Sequence, residues 1–191
     1  MENLQKIIES LNLNRQISLN EIPEIDLYMD QVIQLFENKF SSTKRNEDEK
    51  VLTKTMINNY AKGKLLFPIK NKKYSKDHLI LISLIYQLKG GLSINDIKDT
   101  LSNINAKIID HEFEVDRFYD SFLHLTEKNL SVFYNDAENK VEDVKHEVKL
   151  LEDSASGELE KILMIASFVH MSNLYRRTAE RLIDELGEKK N

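Results

Sequence analysis

Apolar residues recur at helical spacing along most of the chain, with few breaks between the runs. Leu4, Ile7, Ile8 and Leu11 share one face of a short helix over residues 3–12. Pro23 interrupts the pattern. Asp26 then reads as the N-cap of a second helix, Leu27 to Phe40, apolar at Leu27, Val32, Leu35, Phe36 and Phe40. The polar segment 41–49 reads as a mobile loop. A third helix is predicted over 53–62, capped by Thr53. Met56, Ile57 and Tyr60 turn inward, and Lys54, Thr55, Asn58, Asn59 and Lys62 stay outside. Gly63 is expected to end it as a left-handed residue. Residues 64–74, with Pro68 and a turn near Asn71, read as a short β-ribbon or extended loop. Ser75 caps a strongly apolar helix to about Lys89, with His78 where a capping box would carry Glu or Gln. Gly90-Gly91 stops it, and Ser93 caps a short helix through Leu101.

The pattern changes near Glu112. A long helix is expected to about Phe133. Tyr134, Ala137, Val141, Val144, Val148 and Leu151 then follow in steps of three and four, the register of a helix–helix seam. That seam fits a second copy of the chain or the last helix, 158–186, beyond a break at Ser154–Gly157. Five Gly and two Pro in 191 residues agree with long helices and few turns. No Cys is present, so disulfides and thiolate metal sites are excluded. The opening MENLQKIIESLNLN has early acids and no apolar core, unlike a signal peptide. The longest apolar run, Leu79–Leu88, is too short and too polar to span a bilayer. A cytoplasmic protein without membrane contact is expected.

Charge is segregated. The whole chain carries −5, yet Lys50, Lys54, Lys62, Lys64, Lys70, Lys72, Lys73 and Lys76 fall in a stretch without Asp or Glu. A basic block in an otherwise acidic chain is suited to a polyanionic partner. Asn58 and Asn59 are poor helix formers, and their place on an exposed face is easier to explain if they contact something. Asn can read adenine edges by paired hydrogen bonds, and Thr and Lys can reach bases or phosphates.

The stretch Thr55-Met-Ile-Asn-Asn-Tyr60, then Gly63, Leu65-Leu66 and Pro68, resembles the recognition-helix-to-wing segment of mercury-resistance-type (MerR) regulators. Tyr74, Leu79, Ile85, Leu88, Gly90-Gly91, Leu92-Ser93, Ile97-Lys98 and Leu101 are similar to the segment that follows in those proteins. The blocks Asp26–Gln31, Leu52–Tyr60 and Lys72–Ser75 resemble an uncharacterised bacterial family known only as a domain of unknown function. The sequence departs from the regulators at Asn58 and Asn59, where they carry aromatic or Arg residues, and in the long segment 41–50. The resemblance implies a mainly α protein. Residues 1–105 would form a winged helix-turn-helix DNA-binding domain with a small β-ribbon, and residues 106–191 a helical dimerisation or effector region. It implies a homodimeric transcriptional regulator on double-stranded DNA. Thr53, Lys54, Thr55, Asn58, Asn59 and Lys62 would enter the major groove, and Lys64, Lys70, Lys72 and Lys73 would meet phosphates.

Other chemistry finds little support. His78, His111, His124, His146 and His170 show no helical pairing of zinc-site type. Asp26 with Asp30, and Asp116 with Asp120, lie one turn apart, as on a wet helix face. No phosphate loop or nucleophile elbow occurs, so neither enzyme activity nor a cofactor or metal is expected. Phe113, Phe118, Tyr119, Phe122, Phe133 and Tyr134 read as core, with an effector pocket as the other use. Arg176, Arg177 and Arg181 read as a solvated last turn. The alternative to DNA is an adaptor on the same scaffold, docking a protein through acids such as Glu138, Glu142, Asp143, Glu147 and Glu152.

Overall fold

Helices dominate because the chain offers long apolar periodicities and little alternation. The computed structural model describes residues 4–151 and 155–188. Asn3, Glu152 and Ser154, which carry parts of the expectations above, lie outside them. The order is α1 (Leu4–Ser10), β1 (Leu27–Tyr28), α2 (Met29–Phe40), α3 (Lys54–Lys62), β2 (Lys73–Tyr74), α4 (Lys76–Leu88), α5 (Ile94–Ile109), α6 (Val115–Leu150) and α7 (Ser156–Glu188). Short 3-10 turns lie at Leu19–Glu21 and Ser41–Thr43. The two strands pair antiparallel, Leu27 with Tyr74 and Tyr28 with Lys73. The chain is thus mainly helical with one small sheet, as expected at that level. No helix among the described residues is long and apolar enough to cross a membrane.

Two compact bodies emerge, residues 15–124 with 180–191, and residues 1–14 with 125–179. In the first, α4 is the spine. Every residue from His78 to Ile85 is buried, as befits a helix apolar on all sides. Val32, Phe36 and Phe40 of α2, Ile57 and Tyr60 of α3, and Ile97 and Leu101 of α5 join it in one core. Each such side chain contributes about 1.5–3 kcal/mol on full burial. Inside, Ser83 Oγ donates to the Leu79 carbonyl (2.9 Å) and Tyr119 Oη to the Ile17 carbonyl (2.7 Å), while Asn105 Oδ1 is buried without a hydrogen-bond partner among the described residues.

Several boundaries differ from expectation. The second helix starts at Met29, because Leu27 and Tyr28 are drawn into the sheet. Tyr28 N–H donates to Gln31 Oε1 (2.9 Å), so the cap lies at Tyr28 and not at Asp26. The segment read as a mobile loop is tied down. Thr43 Oγ1 donates to the Phe40 carbonyl (2.8 Å), Lys44 pairs with Glu37, and Arg45 N–H donates to Glu49 Oε2 (2.7 Å). Lys89, held below its usual pKa by burial, donates to the Val51 carbonyl (3.1 Å) where that segment ends. The fifth helix runs eight residues past Leu101, through Ile109. Asn105, on its inner face, donates to the carbonyls of Leu65 (2.9 Å) and Leu101 (3.2 Å).

The second body settles the heptad seam. Residues 115–150 form one helix. Ala137, Val144 and Val148 are buried, and Val141, Val144 and Val148 pack with Leu4, Leu159, Leu163, Met164 and Phe168. From Ala137 to Val148 the seam is therefore consumed inside the chain, while Leu151 at its end is exposed. The aromatic stretch is divided: Phe113 rests on Phe118 in the first body, and Phe133 on Phe168 in the second.

Candidate functional site

The exposed edge of the first body is built on α3. Thr53 opens the helix by accepting a hydrogen bond from Met56 N–H at Oγ1 (3.2 Å). Ile57 and Tyr60 anchor the inner face in the core, and burial raises the Tyr60 pKa. Lys54, Thr55, Asn58, Asn59 and Lys62 are exposed, as their spacing predicts.

The end of α3 corrects the reading of Gly63. Its φ is −73°, an ordinary helical value, and the left-handed residue is Lys64, with φ 60°. Lys64 N–H donates to the Ala61 carbonyl (3.1 Å) and Leu65 N–H to the Tyr60 carbonyl (2.9 Å). These are the two bonds of a Schellman motif with lysine at the position that favours glycine. Glycine is needed at 63 for space: a Cβ there would lie 2.8 Å from Leu65 Cδ1 and 3.0 Å from the Asn59 carbonyl oxygen.

The connection to α4 begins with buried Leu65 and Leu66. Phe67 then stacks on the His78 ring, with centroids 3.7 Å apart. His78 Nδ1 accepts from Ser75 N–H (3.1 Å), and Nε2 faces the Phe67 carbonyl at 3.3 Å. Histidine thus takes the place of Glu or Gln in the cap of α4, which residue type alone did not predict. Lys70 and Lys73 bridge across a two-residue turn, with Lys73 N–H donating to the Lys70 carbonyl (3.0 Å). Asn71 and Lys72 both have positive φ, 52° and 57°, as a type I′ hairpin turn requires. The ribbon expected over 64–74 is shorter than that span. Beyond the Lys70–Lys73 bridge, its returning strand pairs with Leu27–Tyr28.

That pairing brings the hairpin toward the start of α3. Lys73 Nζ lies 5.2 Å from the centroid of the exposed Tyr28 ring. Two residues on, Asp30 pairs with Lys54 at 2.8 Å. Tyr28 and Asp30 are members of this edge that the lysine count missed. The alternation of Leu27 and Tyr28, one in and one out, is the signal that could have found the first. Lys76 leaves the basic set, since it pairs with Glu24 (2.5 Å) and Asp116 (2.9 Å), contacts that raise its pKa. Among the described residues, no carboxylate stands at ion-pair distance from Lys62, Lys64, Lys70 or Lys72. No cluster of three or more His, Asp or Glu that could hold a metal occurs among them either.

Compared with known families, residues 17–122, more than half of the chain, match the model of a domain of unknown function, DUF1836. No curated protein and no solved structure matches.

Proposed function

Since the chain belongs to the DUF1836 family, and the matched span falls within the first compact body, we propose that this body binds duplex DNA as a winged helix-turn-helix regulator. On this reading α2 and α3 are the two helices of the motif, α3 enters the major groove, and the Lys70–Lys73 turn is the wing. Thr53, Lys54, Thr55, Asn58, Asn59 and Lys62 face the groove, while Lys64, Lys70, Lys72 and Lys73 neutralise phosphates.

One observation carries the reading. Lys64, directly after the exposed Thr/Asn face of α3, and Lys72, in the exposed hairpin turn, both occupy left-handed backbone. Glycine would be cheaper at both places, and strain retained in an exposed strip points to use. A polyanion is the partner that would reward lysine there.

Mobility-shift titration on genomic fragments tests it. Log affinity should fall linearly with log salt, with a slope of roughly −0.9 per phosphate neutralised. Lys72→Ala should weaken all sequences alike, whereas Asn58→Ala or Asn59→Ala should erode preference among them. Absence of retardation at about 50 mM salt removes the proposal.

A further inference from the structure

The outer face of α7 is an apolar surface that the chain leaves bare. From Ile162 to Val169 the sequence ILMIASFV carries no charge. Leu163, Met164 and Phe168 turn inward onto Val141, Val144 and Val148. Ile162, Ile165 and Val169 are 52%, 63% and 55% exposed, and Ala166 is exposed beside them. A helix apolar on both sides is normally a buried one. The body it belongs to also has a thin core, with Ile8, Ala137, Val144, Val148 and Met164 as its buried apolar residues. Small units with little core commonly gain stability by oligomerising.

We propose that this face of α7 pairs with the same face of a second copy, antiparallel, about a two-fold axis beside residue 167. Glu158, Ile162, Ile165, Val169, Ser172 and Arg176 follow in steps of four and three, a continuous a/d seam. Laid antiparallel, its layers are Ile165 against Val169, Ile162 against Ser172, and Glu158 against Arg176. Each layer recurs across the axis, so the contact closes on itself. With an acid at one end and a base at the other, the face is complementary to its own reverse. Parallel pairing would instead set Glu158 on Glu158 and Arg176 on Arg176. This self-complementarity selects a second copy over a foreign chain. The inference is independent of DNA binding and uses none of the Tyr134–Leu151 seam.

Light scattering of the full chain during gel filtration should give a dimer mass. Ile165→Lys and Val169→Lys should each weaken dimerisation by at least about tenfold with unchanged helical circular dichroism, since both positions face outward. Register is read by cross-linking, which the absence of native cysteine keeps clean. A mixture of Ile162→Cys and Ser172→Cys chains should form a disulfide dimer. Neither variant alone should, because like sulfurs would stand about 15 Å apart along the axis. A monomeric native chain, which would leave the face to a foreign partner, overturns the proposal. So does a dimer indifferent to both lysine variants, or cross-linking by the single variants in place of the mixture.

Discussion

A lysine in the left-handed region costs about 1–2 kcal/mol that glycine avoids, and Lys72 stands there at the tip of the hairpin. Lys72→Gly should relieve that strain and lose part of the gain to a freer unfolded chain, leaving a net stabilisation of roughly 0.5–1 kcal/mol. Urea midpoints would show it. The same variant should bind DNA less tightly, so stability and affinity would move in opposite directions; a loss of both would mean that the turn needs the lysine for folding. His78 is the other residue whose environment sets a measurable property. Burial against the core holds its pKa below the usual 6.5, outweighing the opposing pull of the Phe67 carbonyl and Asp26. Its Nδ1 must stay unprotonated to accept from Ser75 N–H. The unfolded chain therefore takes up the proton first. Stability from this site is complete above about pH 6.5 and drains away as the pH falls toward the lower folded value. His78→Gln keeps an acceptor at the capping position and should flatten the decline between about pH 7 and pH 5. An unchanged slope would assign the proton to another group.

At the scale of elements, local rules and distant contacts pull apart. Gly63 shows the conflict. By helix propensity, alanine at a residue with φ −73° should stabilise by about 1 kcal/mol. By packing, its Cβ would press on the side chain of Leu65, which is fully buried and cannot yield, and on the Asn59 carbonyl. Packing should win, with Gly63→Ala destabilising by about 1–3 kcal/mol in denaturant titration; a stabilised variant would show that the turn relaxes. The same division explains what the sequence reveals. The bounds of α3 and its exposed residues are legible because Thr53, Ile57 and Tyr60 act within a few residues of one another. The start of α2 is not, because Leu27 and Tyr28 answer to Tyr74 and Lys73 far along the chain. Nor is the full length of α5, since Asn105 looks like a solvent residue until the Leu65 carbonyl is placed against it. In the candidate site, counting lysines finds the edge but cannot see Asp30 beside Lys54, or that Glu24 and Asp116 claim Lys76. Left-handed Lys64 hides behind a glycine that attracts the C-cap expectation to itself.

Across the whole molecule the two bodies are held by cores of different depth, and this makes a difference in local stability measurable. The first is organised around α4, where Leu79 to Ile82 and Ile85 are fully enclosed. Opening those amides requires exposing most of the core, so they should exchange only through global unfolding. In the second body the backbone of α7 over Leu159–Val169 is covered on one side by a short row of side chains. Its protection should depend on whatever covers the other side. If two copies share that surface, hydrogen exchange at Ile162–Val169 should slow as protein concentration rises. In Ile165→Lys it should become faster by at least about tenfold, while α4 exchange stays the same. Concentration-independent exchange over that segment in the native chain would mean that the second body is stable without company, and that its bare face has no part in holding the fold.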